Sequence, residues 1–173
     1  TPFGDGNRRR VQVGECEGWE SSLPSADGRR FYLRSELSCE NGEHRRFTGA
    51  SMLASADRWI EIQTVRADRE REVSVREYLA VSANTVRLPG EVPVSLLTAR
   101  QAAAKALTAD DVIEALQHVD STVVEAMLKE RGHGFPMNER LLMRLDDAGV
   151  PGEVIDLMLA MSFPDHFTVV DDT

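Results

Sequence analysis

Two cysteines and four histidines are the side chains of this 173-residue sequence whose types could best do chemistry. Cys16 and Cys39 each fall in a β-like segment flanked by turn residues. Two readings compete: buried spectator thiols, or a single disulfide, which the even count allows. We expect the disulfide, worth about 3 kcal/mol in the chain-entropy account, and with it an oxidising compartment. A nucleophilic Cys16 is disfavoured because Glu15 and Glu17 flank it with negative charge, which suppresses thiolate.

The histidines do not gather. His44 belongs to a hairpin strand, His118 to the polar face of a helix, and His133 and His166 to loops. A zinc site needs three or four converging ligands, so no metal is expected. The acid pairs Asp110-Asp111, Asp146-Asp147 and Asp171-Asp172 lack the spacing of a calcium loop and read as caps and tails. Ser162, Asp165 and His166 are neighbours in sequence, but their loop offers no evident oxyanion donor. The phosphate-cradling, dinucleotide, zinc-protease and nucleophile-elbow motifs are all missing. "GHGF", Gly132 to Phe135, has glycines without a preceding strand and reads as a loop. The expectation is therefore a non-enzyme with no cofactor; a hydrolase is the remote alternative.

Charge narrows the partners. The net charge of −9 resides in residues 91–173, since residues 1–90 hold 14 basic and 14 acidic side chains. Such a half repels phosphate backbones, and the one basic run, Arg8-Arg9-Arg10, reads as the solvated end of a first strand. No nucleic-acid partner is expected. No apolar run approaches the ~18 residues of a membrane span, so any membrane association would run through partners. The sequence opens at Thr1 with neither Met nor a basic-then-apolar leader, so a leader was removed or the sequence trimmed.

The elements that would position these residues divide into a β domain (1–81), a connector (82–97) and a helical domain (98–173). "RRFYLRSELSC" alternates, with Phe31, Leu33, Ser35, Leu37 and Cys39 on one side and Tyr32, Arg34, Glu36 and Ser38 on the other. Asn41-Gly42 then signals a hairpin, and Gly49 in the return strand suggests a bulge. "RWIEIQTV" and "REVSVREYLAV" form a second hairpin, with Val73, Val75, Leu79 and Val81 on one face. "RVQVGECEGWES" and the turn "SADG" supply a first strand. The sum is an antiparallel meander of about five strands with one apolar face.

The sequence turns helical from Thr98, and it repeats. Val112, Ile113, Leu116 and Val119 match Leu141, Leu142, Leu145 and Ala148 at an offset of 29. Val123, Val124, Glu125, Met127 and Leu128 match Val154, Ile155, Asp156, Met158 and Leu159 at an offset of 31. Each copy, at about 108–131 and 138–162, reads as two short helices around a tight corner, and the two-residue insertion falls in the corner. Gly149 suits a left-handed helix end, and Pro151 the first position of the next helix. Thr108 with Asp111, and Thr122 with Glu125, fit the helix-start pattern. The fold class is thus α+β, with the helical half a mini-bundle or a cover for the sheet.

The pattern Leu107-Thr108-x-x-Asp111-Val112 followed by Val123-Val124-x-x-Met127-Leu128 resembles a helical-hairpin motif of exported and envelope-associated bacterial proteins, approximately LTxxDVxxLxxxGxxxxVIxxMI. The second copy keeps Leu145, Gly149, Val154-Ile155 and Met158-Leu159 but opens with Met137-Asn138. The resemblance covers about a third of the chain and implies a periplasmic or extracellular bacterial setting, with a packing or docking role. It brings no chemistry with it.

What remains is surface. Trp59 and Tyr78 lie in the sheet half, and Trp59 shares a face with Glu61 and Gln63, opposite Ile60 and Ile62. Asp146 and Asp147 sit in the last turn of a helix, where the dipole disfavours acids, unless Arg140 or Arg144 offsets them or a basic partner meets them. Phe163, Phe167, Val169 and Val170 make the C-terminal stretch too apolar for a disordered tail. It either folds back onto the sheet or reaches another subunit. Trp59, Tyr78, Asp146, Asp147, Phe163 and Phe167 are accordingly the candidate interface of a protein-interaction or scaffolding module, an accessory subunit of a larger envelope complex. The alternative is a binder of a small apolar ligand or lipid between sheet and helices.

Overall fold

A computed structural model describes residues 5–55, 57–67, 70–79, 105–131 and 133–167. Among them, six strands form one antiparallel sheet in chain order: β1 (Arg9–Val13), β2 (Cys16–Pro24), β3 (Arg30–Cys39), β4 (His44–Leu53), β5 (Arg58–Ala67) and β6 (Glu70–Leu79). Four helices follow: α1 (Ala109–His118), α2 (Ser121–Arg131), α3 (Glu139–Asp147) and α4 (Gly152–Ser162). The chain is an α+β protein. The connector at 82–97, residues 98–104, and Val81, Val169 and Val170 lie outside the described residues, and the helical pattern expected from Thr98 is not helix at 105–108.

The meander has six strands, and the stretch expected as one first strand is itself a hairpin. Val13 faces Cys16 across a two-residue turn, Gly14-Glu15, in which Gly14 has φ 61°. A glycine at the first central position of such a turn supplies the twist that adjacent strands need. The expected bulge at Gly49 is absent, since β3, β4 and β5 pair in continuous register through it. Gly49 answers to space instead: a Cβ there would lie 2.9 Å from the Ile62 carbonyl oxygen.

Register decides which sheet face the helices cover. Tyr32, Ala50 and Ile62 are successive cross-strand partners, as are Met52 and Ile60. All five are buried in one core shared with helical residues such as Val112, Val123, Met127 and Leu128. The Tyr32 side of β3 therefore faces the helices, and the Phe31–Leu33 side faces away. Each fully buried Val, Leu, Ile or Met in that core contributes about 1.5–3 kcal/mol over an exposed one.

The repeat is structural. Ser121–Arg131 and Gly152–Ser162 are displaced by the same offset at both ends, and the extra residues fall in the corner after α3. Gly149 takes φ 70° there, and Pro151 stands at the N-cap of α4, one position before the expected one. Thr108 and Asp111 form the expected capping box. The second expected start does not hold: α2 begins at Ser121, and the Thr122 hydroxyl instead lies 3.4 Å from that of Thr64. The first hairpin covers the sheet and α4 packs on α2, which gives three layers. This explains why Val124 and Leu128 are buried while their counterparts Ile155 and Leu159 are half-buried. The first hairpin is enclosed on both sides.

Candidate interaction surface

Cys16 and Cys39 form a disulfide between direct cross-strand partners of β2 and β3. The bond fits an oxidising, extracytoplasmic compartment. No helix among the described residues is long and apolar enough to cross a membrane.

The expected interface residues fall into three groups. Trp59 and Tyr78 come together as register partners on β5 and β6, on the face turned away from the helices. Ile60 and Ile62, on the opposite face, are fully buried, which leaves Trp59 half-buried and Tyr78 49% exposed. Leu53 opposes Trp59 from β4, and Phe31, 36% exposed, lies on the same face. Glu61 supplies the polar centre of this patch: it accepts hydrogen bonds from Tyr78 Oη at 3.3 Å and Gln63 Nε2 at 2.9 Å.

Along the same margin, β6 exposes apolar groups on its helix-side face too. Val73 and Val75 are each 43% exposed and Leu79 69%. A ten-residue edge strand with Val73, Val75 and Leu79 open on one face and Tyr78 on the other is a template for another chain unless something covers it.

Asp146 and Asp147 are exposed at the end of α3. Arg144 does not answer them: its guanidinium reaches Asp110 of α1 at 3.2 Å, joining the two hairpins. Phe163 and Phe167 pack on each other, ring centroids 6.5 Å apart, and both stay exposed. The rest of the C-terminal stretch, with Val169 and Val170, lies outside the described residues. Asp146, Asp147, Phe163 and Phe167 belong to the helical layers, and none of the interactions found for them reaches the sheet.

Other residues singled out by the sequence have structural work. Ser162 Oγ donates to the Met158 carbonyl at 2.6 Å and accepts from the Phe135 amide at 2.8 Å, pinning the inter-hairpin loop. His118 is not on an open polar face; its ring stacks on Tyr32 at 5.0 Å. Burial pushes the Tyr32 phenol up to about 12, against the opposing effect of Arg30, which donates to its oxygen at 3.2 Å. The void among Leu107, Val112, Val124, Met127 and Leu128, inside the first helical hairpin, has a volume of about 0 Å³; where sheet and helix meet at Tyr32 and His118 there is a polar-rimmed cleft of about 200 Å³. Among the described residues no three of His, Cys, Asp and Glu converge as a metal site.

Arg30 escaped notice in the sequence. It is 3% exposed, yet it is charged and surrounded by Asp27, Asp111 and Glu114. The Ala26 amide also donates to Glu114 Oε1 at 2.6 Å. The β2–β3 turn is thereby tied to α1, and the helix layer is fixed on one face of the sheet. That docking leaves Phe31 and Tyr78 exposed on the opposite face, although Ser35 and Leu37 of that face are buried.

No protein-family model, curated protein or solved structure matches the chain.

Proposed function

We propose that the chain is a non-enzymatic interaction module, exported from a bacterial cytoplasm and acting as an accessory or scaffolding subunit of an envelope complex. The observation that carries this reading is the Trp59–Tyr78 pair at the outer strand β6, which also exposes Val73, Val75 and Leu79 on its other face. A partner that lies along β6 and over Trp59 removes apolar area from water and adds a strand to the outer edge of the described sheet at once. Large aromatics of this kind carry much of the energy of protein interfaces. The disulfide supports an oxidising destination, which in a bacterium is the periplasm or the exterior.

The mechanism is burial of a preformed face, with no residue needing to change its covalent state. The acidic second half orients the approach and keeps the chain soluble. Isolation of the untagged chain from native membranes tests the reading. The wild-type chain should run in a high-mass assembly, and a Trp59→Ser/Tyr78→Ser chain with an unchanged melting temperature should run alone. A wild-type chain recovered only as monomer would contradict it.

A further inference from the structure

The helix-bearing face of the sheet is not covered to its end: Arg10, Arg46, Arg66 and Arg71 on it are exposed. The α1–α2 corner marks where the helix cover stops. The Asp120 amide donates to Thr48 Oγ1 at 3.3 Å, the Thr122 hydroxyl lies 3.4 Å from that of Thr64, and Thr48 and Thr64 are cross-strand partners. The next row outward on that face crosses all six strands in direct register: Arg10, Trp19, Glu36, Arg46, Arg66 and Arg71. Arg8 joins it, its guanidinium carbon 4.0 Å from the centroid of the Trp19 ring. Trp19, Glu36, His44, Arg46 and Arg66 line an open trough of about 470 Å³.

This row breaks a rule of sheet construction. Like charges directly opposite one another on adjacent strands are destabilising. Yet Arg46 faces Arg66, and Arg66 faces Arg71. Glu36 answers Arg46 at 3.4 Å, with both side chains largely in solvent. Among the described residues Arg10 and Arg66 have no carboxylate partner at all. Glu125 answers Arg71 electrostatically, but Arg46 and Arg66 still face each other, and breaks of a local rule of this kind fall preferentially at functional sites.

We propose that this trough binds an acidic segment of a partner protein, with carboxylates on Arg46 and Arg66 and a flat or apolar side chain against Trp19. The arginine fork matches carboxylate geometry with two parallel hydrogen bonds. Glu36 is what favours a peptide over a phosphodiester chain. It stands between Trp19 and Arg46 in the row, where a continuous line of phosphates would meet it. A peptide instead brings backbone N–H groups, which Glu36 can accept. The net −9 of the second half further opposes a long polyanion. The trough and the Trp59–Tyr78 patch lie on opposite faces, so loss of either leaves the other intact.

The sequence holds two tryptophans, so a Trp59→Phe chain leaves Trp19 as the sole indole reporter. Its emission is followed as a short oligoglutamate peptide, or a single-stranded oligonucleotide of matching charge, is added at low and high salt. A saturable change with oligoglutamate is expected, weakened by salt. Arg46→Gln/Arg66→Gln should weaken it by about tenfold or more, the scale of a lost charge-assisted contact. Both arginines are exposed, so the melting temperature of that variant should hold or rise. No response, a response unchanged by the double substitution, or tighter binding of the oligonucleotide would overturn the proposal. Salt-sensitive self-association abolished by the same substitutions would assign the trough to a second copy of the chain, and would also overturn it.

Discussion

The Asp111 carboxylate both caps α1 and receives the Arg30 guanidinium. One oxygen accepts from the Thr108 amide at 2.7 Å and the Thr108 hydroxyl at 2.8 Å, while the other pairs with Arg30 on β3. A single carboxylate therefore caps the start of a helix and fixes that helix to the sheet. Removing one partner of such a buried pair strands the other. Arg30→Ala should cost about 3–5 kcal/mol in urea unfolding. A loss below about 1 kcal/mol, the scale of an exposed pair, would show that the contact does not hold the layers together.

Acid should loosen the same junction. Burial raises the pKa of Asp27, but the Ser25 hydroxyl, the Arg29 amide and the Arg30 charge outweigh it and hold the carboxyl below its ordinary value. A carboxyl depressed in the folded state stabilises fully above its unfolded pKa of about 4, and that stabilisation fades as pH falls through the folded value. Asp27→Asn should therefore be less stable than wild type at neutral pH and converge with it in strong acid. Parallel curves across that window would exclude the linkage.

Glu125 has the opposite sign. Burial, then the charge of Glu153 on α4, raises its pKa against weaker help from Lys129 and Arg71. Its ionised form is a burden on the fold above the raised pKa, and the burden disappears as pH falls below the unfolded value. Glu125→Gln should stabilise the chain at neutral pH by a few tenths of a kcal/mol, the scale of a solvent-screened charge pair. The gain should vanish in acid. Thermal melts at neutral pH and in acid would read both arms.

Much of this was legible because it is local. The capping box at Thr108, the positive φ of Gly149 and the duplicated hairpin depend on residues within a few turns of one another. The split between β1 and β2 was missed because a two-residue Gly-Glu turn leaves almost no polar punctuation in a stretch that otherwise reads as one strand. Three features needed register, which no local pattern supplies. One is the burial of Arg30, an arginine whose three acidic neighbours come partly from a helix some 80 residues on. Another is the row Arg10, Trp19, Glu36, Arg46, Arg66 and Arg71, whose members are scattered along the sequence. The third is Gly18, where a Cβ would fall 1.9 Å from the Glu36 carbonyl oxygen. For the interface residues, alternation brought Trp59 and Ile60 to opposite faces, but only the docked helices decide which face is left open.

The Trp59 face itself is open to direct interrogation. A photo-crosslinking amino acid at position 78, beside Trp59, should capture a discrete partner in native cells. The same probe at Met143, 60% exposed on the outer helix α3, should capture little. A partner band at position 78, lost when Trp59 is also replaced by Ser, is the predicted result. Equal capture at both positions, or none at position 78 in a chain that is exported and folded, would contradict the account.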